Sequence, residues 1–273
     1  MLDKGLDADG FIRREGDLAL LQPAFAGLVA EFVAAVRAAF GRDLDSVYLY
    51  GSLARGAGRP GVSDVDGQVL LTRTPTAVDR AAVAELEAGL AAAHPEVSGV
   101  GVLLDARADL LRPAQRYDGG FHLRVLCLPI TGPDAGAEVP PHRPGWELAR
   151  GVQGDWRGAL DALGAEGARL ASGIGGDAGD TAPVEAAEAA FCRTVGRRLA
   201  RIAFTWVMPR WRGWTSDPAV IARVVAEYEP GWASDVEAAV GLGWGQVVDA
   251  PAAVTLLTRL GRVLRERGDE LGA

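Results

Sequence analysis

The residues best suited to chemistry lie between positions 47 and 71, where the chain reads VYLYGSLARGAGRPGVSDVDGQVLL. An apolar, strand-like run ends at Gly51-Ser52, and Asp64 and Asp66 stand one residue apart in a second apolar run. Two carboxylates at positions i and i+2 of a strand point to the same face, and such a pair can hold hard divalent cations. A Gly-Ser turn can hold phosphates, because glycine lets the backbone approach a ligand closely. Together these residues predict the equipment for transferring a nucleotidyl group.

The loop that joins the two motifs adds positive charge and a further anion-binding group. Ser52 offers a hydroxyl and a backbone N–H at a predicted helix start, where anions bind well. Arg55 and Arg59 add guanidinium groups to the loop. We expect Asp64 and Asp66 to share two Mg²⁺ ions, one supporting the leaving pyrophosphate and the other activating the attacking hydroxyl. Catalysis of this kind depends mostly on positioning and charge neutralisation.

This stretch resembles the polymerase-β nucleotidyltransferase superfamily, whose motif is Gly-Ser, a spacer of about ten residues, and Asp-x-Asp. Members of that superfamily that act on small molecules often read GSxARG…SDxD, and the matching residues here are Gly51, Ser52, Ala54, Arg55, Gly56, Ser63, Asp64 and Asp66. The second half is similar to the C-terminal helical domain of streptomycin/spectinomycin-type aminoglycoside adenylyltransferases. That second likeness depends mainly on Leu199-Ala200-Arg201-Ile202.

The resemblance implies an ATP-binding, Mg²⁺-dependent adenylyltransferase. It places the nucleotide on Gly51, Ser52, Arg55 and Ser63, and Arg201 would reach the nucleotide phosphates across a cleft between two domains. The implied acceptor is a small, hydroxylated, cationic molecule such as an aminoglycoside or aminocyclitol, which would connect the protein to antibiotic resistance. No motif that would recognise the base is visible, so the sequence does not decide between ATP and another nucleoside triphosphate as the donor.

One expected part of such a site is missing from its usual place. The resemblance implies a third carboxylate on a neighbouring strand, where it completes the metal site or takes the proton from the acceptor hydroxyl. The corresponding segment, 98–110, has no acidic residue from Gly99 to Leu103. Asp105 has the same strand parity as Gly101, so with a shifted register it would be the third catalytic carboxylate. Otherwise Asp105 is a strand-end cap or surface charge, and the base comes from elsewhere or the enzyme is impaired.

The second half of the chain holds further candidates for substrate contact. All seven tryptophans follow residue 145, and a helix-bundle core explains most of them. Trp211 and Trp214 flank arginines in a predicted interhelical loop, so these two are the better candidates for substrate contact. Glu185 and Glu188 would either grip a cationic substrate or complement a helix dipole.

Helix and strand patterns alternate through the first half, and long helical patterns fill the second. The fold class expected is an α/β nucleotidyltransferase domain, with a mixed sheet flanked by helices, followed by an all-α helical bundle. The predicted boundaries are 1–133 for the first domain, 134–145 for a linker rich in Pro and Gly, and 146–273 for the bundle. Strands are expected at 47–50, 65–71 and 100–104, with one or two more in 121–129. Helices are expected from about 24 to 40, at 76–93, and near 146–171, 183–208, 218–228, 231–242 and 251–271.

The bulk composition limits partners and location. The chain has 273 residues and a net charge of −8, and an acidic chain without a long basic stripe argues against nucleic acid as a partner. Its two cysteines do not suggest structural zinc. Acidic residues in the first thirty positions argue against a secretory signal, and no apolar run was expected to suit a membrane span. The sequence predicts a cytoplasmic protein and leaves its oligomeric state open.

Two alternatives to a small-molecule acceptor remain. The acceptor could be a protein or a tRNA end, although the long helical half and the low basicity argue against both. The chain could also be a nucleotide-binding module that has lost catalysis, for which the apolar strand 98–104 is the evidence.

Overall fold

The structure is a computed structural model that describes residues 2–172 and 182–272. It divides into two units. Asp7–Arg143 form what we call the sheet unit, while Pro144–Ala273 together with Met1–Leu6 form the helical unit. Each unit is described by itself below.

A four-stranded mixed sheet with the order β3-β2-β1-β4 lies at the centre of the sheet unit. Its strands are β1 (Leu44–Tyr50), β2 (Val65–Leu71), β3 (Val100–Ala106) and β4 (Leu128–Thr131). β1 is antiparallel to both of its neighbours, whereas β2 and β3 are parallel. The helices of this unit are α1 (Ala26–Phe40), α2 (Gly51–Ala54), α3 (Ala77–Ala93), α4 (Arg107–Leu110) and α5 (Gly119–Phe121). The predicted mixed sheet with flanking helices is confirmed.

The main apolar core of this unit lies on one face of the sheet. Val65, Val69 and Leu71 of β2 point to this face and join the core that includes α1. Phe32 of α1 lies directly over Gly67, because a Cβ atom on Gly67 would be only 2.5 Å from the Phe32 Cζ. Since side chains alternate along a strand, Asp66 points to the opposite face of the sheet.

The segment around α1 has a composition that the sequence reading did not anticipate. The 21 residues Pro23–Asp43 are long and apolar enough, by those two measures alone, to cross a membrane. The expectation that no segment would meet this test was therefore wrong. In the structure, Leu28, Phe32 and Val36 of α1 are buried in the core, so this face of the helix packs within the sheet unit.

The residues before β4 are helical, although one or two strands were expected in 121–129. A π-helical turn, His122–Leu126, follows α5, and β4 begins only at Leu128. The apolar side chains Leu123 and Val125 are buried at alternate positions, as they would be in a strand. Short apolar runs of this kind do not distinguish a strand from a buried helical turn.

Residues 134–143, which were expected to lie in the linker, pack within the sheet unit. The Tyr48 hydroxyl donates to the Pro133 carbonyl at 3.2 Å and accepts from the Ala135 amide at 2.8 Å. Ala135 and His142 are buried. Composition did not reveal this packing, because polar backbone groups make much of the contact.

The two ends of the sheet unit meet. The Ile12 amide donates to the His142 carbonyl at 2.8 Å, and the guanidinium group of Arg143 lies 4.0 Å from the centre of the Phe11 ring. The chain therefore enters and leaves this unit at neighbouring positions.

The helical unit confirms the predicted helical C-terminal region. Its helices are α6 (Trp146–Gly151), α7 (Trp156–Ala171), α8 (Ala182–Trp211), α9 (Pro218–Tyr228), α10 (Ala233–Gly243) and α11 (Ala250–Glu270). The single helix expected over 146–171 is interrupted after Gly151, and the Asp155 side chain caps the new start by accepting from the Gly158 amide at 2.9 Å. The N-terminal segment joins this unit, because the Trp214 amide donates to the Lys4 carbonyl at 2.8 Å.

Candidate active site

Pairing of β1 with β2 brings the two predicted motifs together. Tyr50, the last residue of β1, lies opposite Asp66 in the antiparallel ladder. Gly51 follows with a φ of +75°, which turns the chain sharply out of the sheet. A Cβ atom on Gly51 would overlap the Asp66 carboxylate, whose Cγ would be only 3.2 Å away. The Gly-Ser turn and the second aspartate therefore touch.

Asp64 stands just before β2, two residues from Asp66, and both aspartates are partly buried. The preceding turn is held by Ser63, whose hydroxyl accepts from the Arg59 amide at 2.9 Å and whose amide donates to the Arg59 carbonyl at 2.9 Å. The Ser63 side chain thus has a structural partner in the turn. Its expected contact with the nucleotide stays a prediction.

Ser52 has the features of a ligand-binding hydroxyl. Its Oγ is buried and has no hydrogen-bond partner among the described residues. Buried polar atoms are nearly always paired, so an unpaired hydroxyl beside the Gly51 turn fits a polar ligand atom. Ser52 is the second residue of α2, which has only four residues. The helix dipole expected at Ser52 is therefore small, and the hydroxyl is the stronger reason to place a phosphate here.

The charge of Arg55 is directed partly toward an acidic neighbour. Its Nη1 lies 3.8 Å from the Glu15 Oε2, and both side chains are more than half buried. An ion pair of this length offsets part of the positive charge that the loop was expected to offer to phosphates. A role of Arg55 at the nucleotide stays a prediction.

The structure does not bring Asp105 together with Asp66. The parallel ladder pairs Asp66 with Gly101 and Leu70 with Asp105, without a register shift. Four residues of strand separate the two levels, which corresponds to about 13 Å. The Asp105 carboxylate instead accepts a hydrogen bond of 3.1 Å from the Gln68 side-chain amide. Strand parity could be read from the sequence, but register depends on the pairing of whole strands.

The β3 residue that pairs with Asp66 has no side chain. This residue is Gly101, and a Cβ atom added there would meet no other heavy atom within 4 Å. The expected third carboxylate is therefore not supplied at this position of β3.

One aromatic pair includes the β1 neighbour of Asp66, and sequence reasoning missed this pair. Tyr50 is the neighbour of Asp66 across β1, and its ring centre lies 4.7 Å from that of His122 in an edge-to-face arrangement. The histidines were regarded as scattered, because 72 residues separate His122 from Tyr50 in the sequence. Only the return of the chain through the π-helical turn brings these rings together.

The candidates for ligand contact in the helical half differ in their exposure to solvent. Trp211 and Trp214 are 4% and 8% exposed, and both rings pack edge-to-face on Phe204. The expectation that these tryptophans contact substrate was wrong, because both belong to the core of the helical unit. Arg201 lies on α8 and is exposed, and its carbonyl accepts from the Thr205 hydroxyl at 2.7 Å. Its role at the nucleotide phosphates stays a prediction.

The predicted metal-binding carboxylates suit a cation that takes most of its ligands from a bound molecule and from water. Across residues 2–172 and 182–272, no group of three or more His, Cys, Asp or Glu side chains is arranged to hold a metal. Asp64 and Asp66 offer two carboxylates that are two positions apart in the sequence. Mg²⁺ is commonly bound by one or two carboxylates and completes its shell with phosphate oxygens and water, so the pair fits Mg²⁺ carried by a nucleotide.

Comparison with known proteins leaves the family unassigned. No protein-family model matches the chain, and no curated protein matches it. Among solved structures, it is similar to the spectinomycin adenyltransferase AAD(9) from Enterococcus faecialis, determined with ATP and spectinomycin. That match has 12% identity and a TM-score of 0.44, and covers 86% of this chain and 98% of the other. Both values are too low to assign an activity, so function must be argued from this chain's own residues.

Proposed function

We propose that the protein is a Mg²⁺-dependent nucleotidyltransferase that moves AMP from ATP to a hydroxyl group of a small molecule. The observation that carries this proposal is the contact between the Asp66 carboxylate and Gly51. A phosphate-binding turn and a pair of cation-binding carboxylates are useful together only for a ligand that has both phosphates and metal ions. A nucleoside triphosphate has both.

Each residue of the site has a distinct task in this proposal. The Gly51 turn lets the triphosphate approach the backbone, and the Ser52 hydroxyl donates to a phosphate oxygen. Asp64 and Asp66 hold Mg²⁺, which when bound neutralises the triphosphate and lowers the pKa of the acceptor hydroxyl. The acceptor oxygen attacks the α-phosphorus, the bond from the α-phosphorus to the bridging oxygen breaks, and pyrophosphate leaves with that oxygen. The proton of the hydroxyl passes to a base or to water.

A cationic acceptor agrees with the charge of the protein. The net charge of −8 produces a field that attracts positively charged molecules. Aminocyclitols and aminoglycosides have both ammonium groups and hydroxyl groups, so we propose them as the first class of acceptor to examine.

The test is release of pyrophosphate from ATP and Mg²⁺ in the presence of a panel of aminocyclitols. Asp66→Asn should lower turnover by about 10²-fold or more, because it removes a carboxylate that would hold the Mg²⁺ ion, whose charge would stabilise the anionic transition state. Asp109→Asn is a matched control, because Asp109 lies in the same unit on α4 and pairs with the exposed Arg112. Turnover that survives Asp66→Asn unchanged would refute the proposal.

A second candidate function is nucleotide binding without transfer. The observation that favours it is Gly101, which stands beside Asp66 where a further carboxylate would complete the site. Binding of ATP with Mg²⁺, measured by calorimetry, with no pyrophosphate release on any acceptor would support this candidate. Release that depends on an acceptor would exclude it.

A further inference from the structure

His94 lies between two carboxylates on the core side of the sheet unit. Its Nδ1 is 2.8 Å from the Glu96 Oε1, and its Nε2 is 3.0 Å from the Glu31 Oε2. The His94 side chain is 11% exposed, whereas the Glu31 side chain is 63% exposed. The ring therefore connects α1 to the segment between α3 and β3. Neither contact belongs to the candidate site described above.

The segment that follows His94 holds the turn that carries Asp64. The Gly61 amide donates to the Glu96 carbonyl at 2.7 Å, and the Ser98 amide donates to the Ser63 carbonyl at 3.0 Å. The Ser98 hydroxyl also donates to the Val62 carbonyl at 2.9 Å. Three hydrogen bonds thus join residues 96–98 to the turn that ends one residue before Asp64.

We propose that His94 is a positioning residue for Asp64: its imidazole fixes Glu96 against α1 and thereby holds the turn that presents Asp64 beside Asp66. The consequence for metal binding rests on the proposed function. The mechanical connection from His94 to the turn does not, because it depends only on the contacts within this unit.

The connection has a defined pH dependence. The charged groups that face the ring are Glu96 from its own segment and Glu31 from α1. The hydrogen bond to Glu96, and after it the one to Glu31, raises the pKa of His94 above its ordinary value, while desolvation opposes them. A histidine whose pKa is raised by folding stabilises the folded state fully below the unfolded pKa of about 6.5. This stabilisation is lost as the pH rises through the folded pKa, so the turn should loosen on the alkaline side.

The first test is hydrogen exchange of the Gly61 and Ser98 amides at pH 6 and pH 8, after correction for intrinsic exchange rates. In the native protein, their protection should fall by about two- to fivefold at pH 8, the range that a partly exposed ion pair contributes. In His94→Gln the pH dependence should disappear. Glu31→Gln should weaken it, and the exposed position of Glu31 makes this second variant safe for folding.

The second test is the Mg²⁺ concentration that gives half-maximal pyrophosphate release. This concentration should rise about two- to fivefold in His94→Gln and Glu31→Gln at pH 6, with a smaller change in kcat, because positioning of a metal ligand is affected. Glu85→Gln is the matched control, since it removes one exposed carboxylate from α3. Variants that behave like Glu85→Gln in both tests would overturn the proposal. A change in amide protection with unchanged Mg²⁺ dependence would overturn the link to Asp64.

The result that would refute the proposed function differs from the results that would overturn the His94 proposal. A native protein that releases no pyrophosphate with any acceptor would refute nucleotidyl transfer. The exchange experiment would then still decide whether His94 holds the Asp64 turn.

Discussion

Gly51 satisfies two separate requirements of the candidate site. Its φ of +75° lies in the left-handed region, and its missing side chain leaves room for the Asp66 carboxylate. A side chain here would be strained by the backbone and would also displace Asp66. The glycine was selected from the sequence as part of a phosphate-binding turn, whereas its contact with Asp66 emerged only from the pairing of β1 with β2.

Gly51→Ala separates these two effects when it is compared with Gly245→Ala. Gly245 has a φ of +72° with no atom near its added Cβ, so its replacement should cost only the left-handed strain of about 1–2 kcal/mol. Gly51→Ala should cost a further 1–3 kcal/mol or so for overpacking, and should also abolish turnover. Chemical denaturation and pyrophosphate release check both expectations. Equal destabilisation of the two variants, with turnover intact in both, would contradict the contact between Gly51 and Asp66.

Single residues show clearly what the sequence could and could not reveal about the site. Gly51, Ser52, Asp64 and Asp66 were predicted from residue type and spacing, because each motif is local, and their roles in binding and catalysis stay predictions. The distance of Asp105 from Asp66 depends on the register of β2 and β3, which is a property of two strands. The edge-to-face contact of Tyr50 with a histidine depends on the path of a distant helical turn, and no local pattern records it.

At the scale of secondary-structure elements, helices α8 and α10 make an unusually close crossing. A Cβ atom on Gly196 of α8 would overlap the backbone of α10 at Ala239, and would lie 2.7 Å from the Gly243 Cα. Backbones can approach this closely only where both helices have small residues. The crossing therefore depends on glycine at positions 196 and 243, although glycine lowers the intrinsic stability of a helix.

Gly196→Ala should destabilise the helical unit by about 1–3 kcal/mol, because the two helices must move apart. Gly164→Ala in α7 is the control, since no heavy atom lies within 4 Å of its added Cβ. That control should be neutral or stabilise by about 0.5–1 kcal/mol through helix propensity. Denaturation followed by tryptophan fluorescence measures both variants, because all seven tryptophans follow residue 145. A harmless Gly196→Ala would show that the crossing is looser than described.

Long, strongly periodic elements were predicted well from the sequence, and short ones were not. α1, α3, α9, α10 and α11 lie close to their expected positions, since their apolar spacing repeats over several turns. The helical turns before β4 bury alternate residues and therefore resemble a strand. The residues from 134 to 143 have no periodicity, and their place in the sheet unit comes from tertiary contacts such as those of Tyr48.

At the scale of the whole molecule, two histidines give the sheet unit opposite responses to pH. His142 is buried beside the rings of Phe121 and Tyr117, and it contacts the Arg116 carbonyl at 2.8 Å through Nε2. Desolvation is the main cause that lowers the pKa of His142, and the hydrogen bond to Arg116 opposes it. The unfolded chain therefore binds a proton at this residue at a higher pH than the folded chain does.

His142 should thus make the sheet unit less stable as the pH falls below the unfolded pKa of about 6.5, because the unfolded state binds more protons there. His142→Phe should flatten the fall in the free energy of unfolding between pH 7 and pH 5, whatever its effect at neutral pH. Hydrogen exchange of the β1 and β2 amides measures that free energy. His94→Gln should leave the fall between pH 6.5 and pH 5 nearly unchanged, because the contribution of His94 to stability varies with pH only above its unfolded pKa of about 6.5. An undiminished pH slope in His142→Phe would show that other groups cause the acid response.

The hydrogen bonds between the N-terminal segment and the helical unit have a consequence for biosynthesis. Lys4 donates to the Trp211 carbonyl, a partner 207 positions further along the chain. During translation, the segment around Lys4 is therefore synthesised long before Trp211, the residue to which it binds. The sheet unit, whose two ends meet through Ile12 and His142, can close in the meantime. Deletion of residues 2–6 should accordingly disturb folding of the helical unit and leave the sheet unit unaffected.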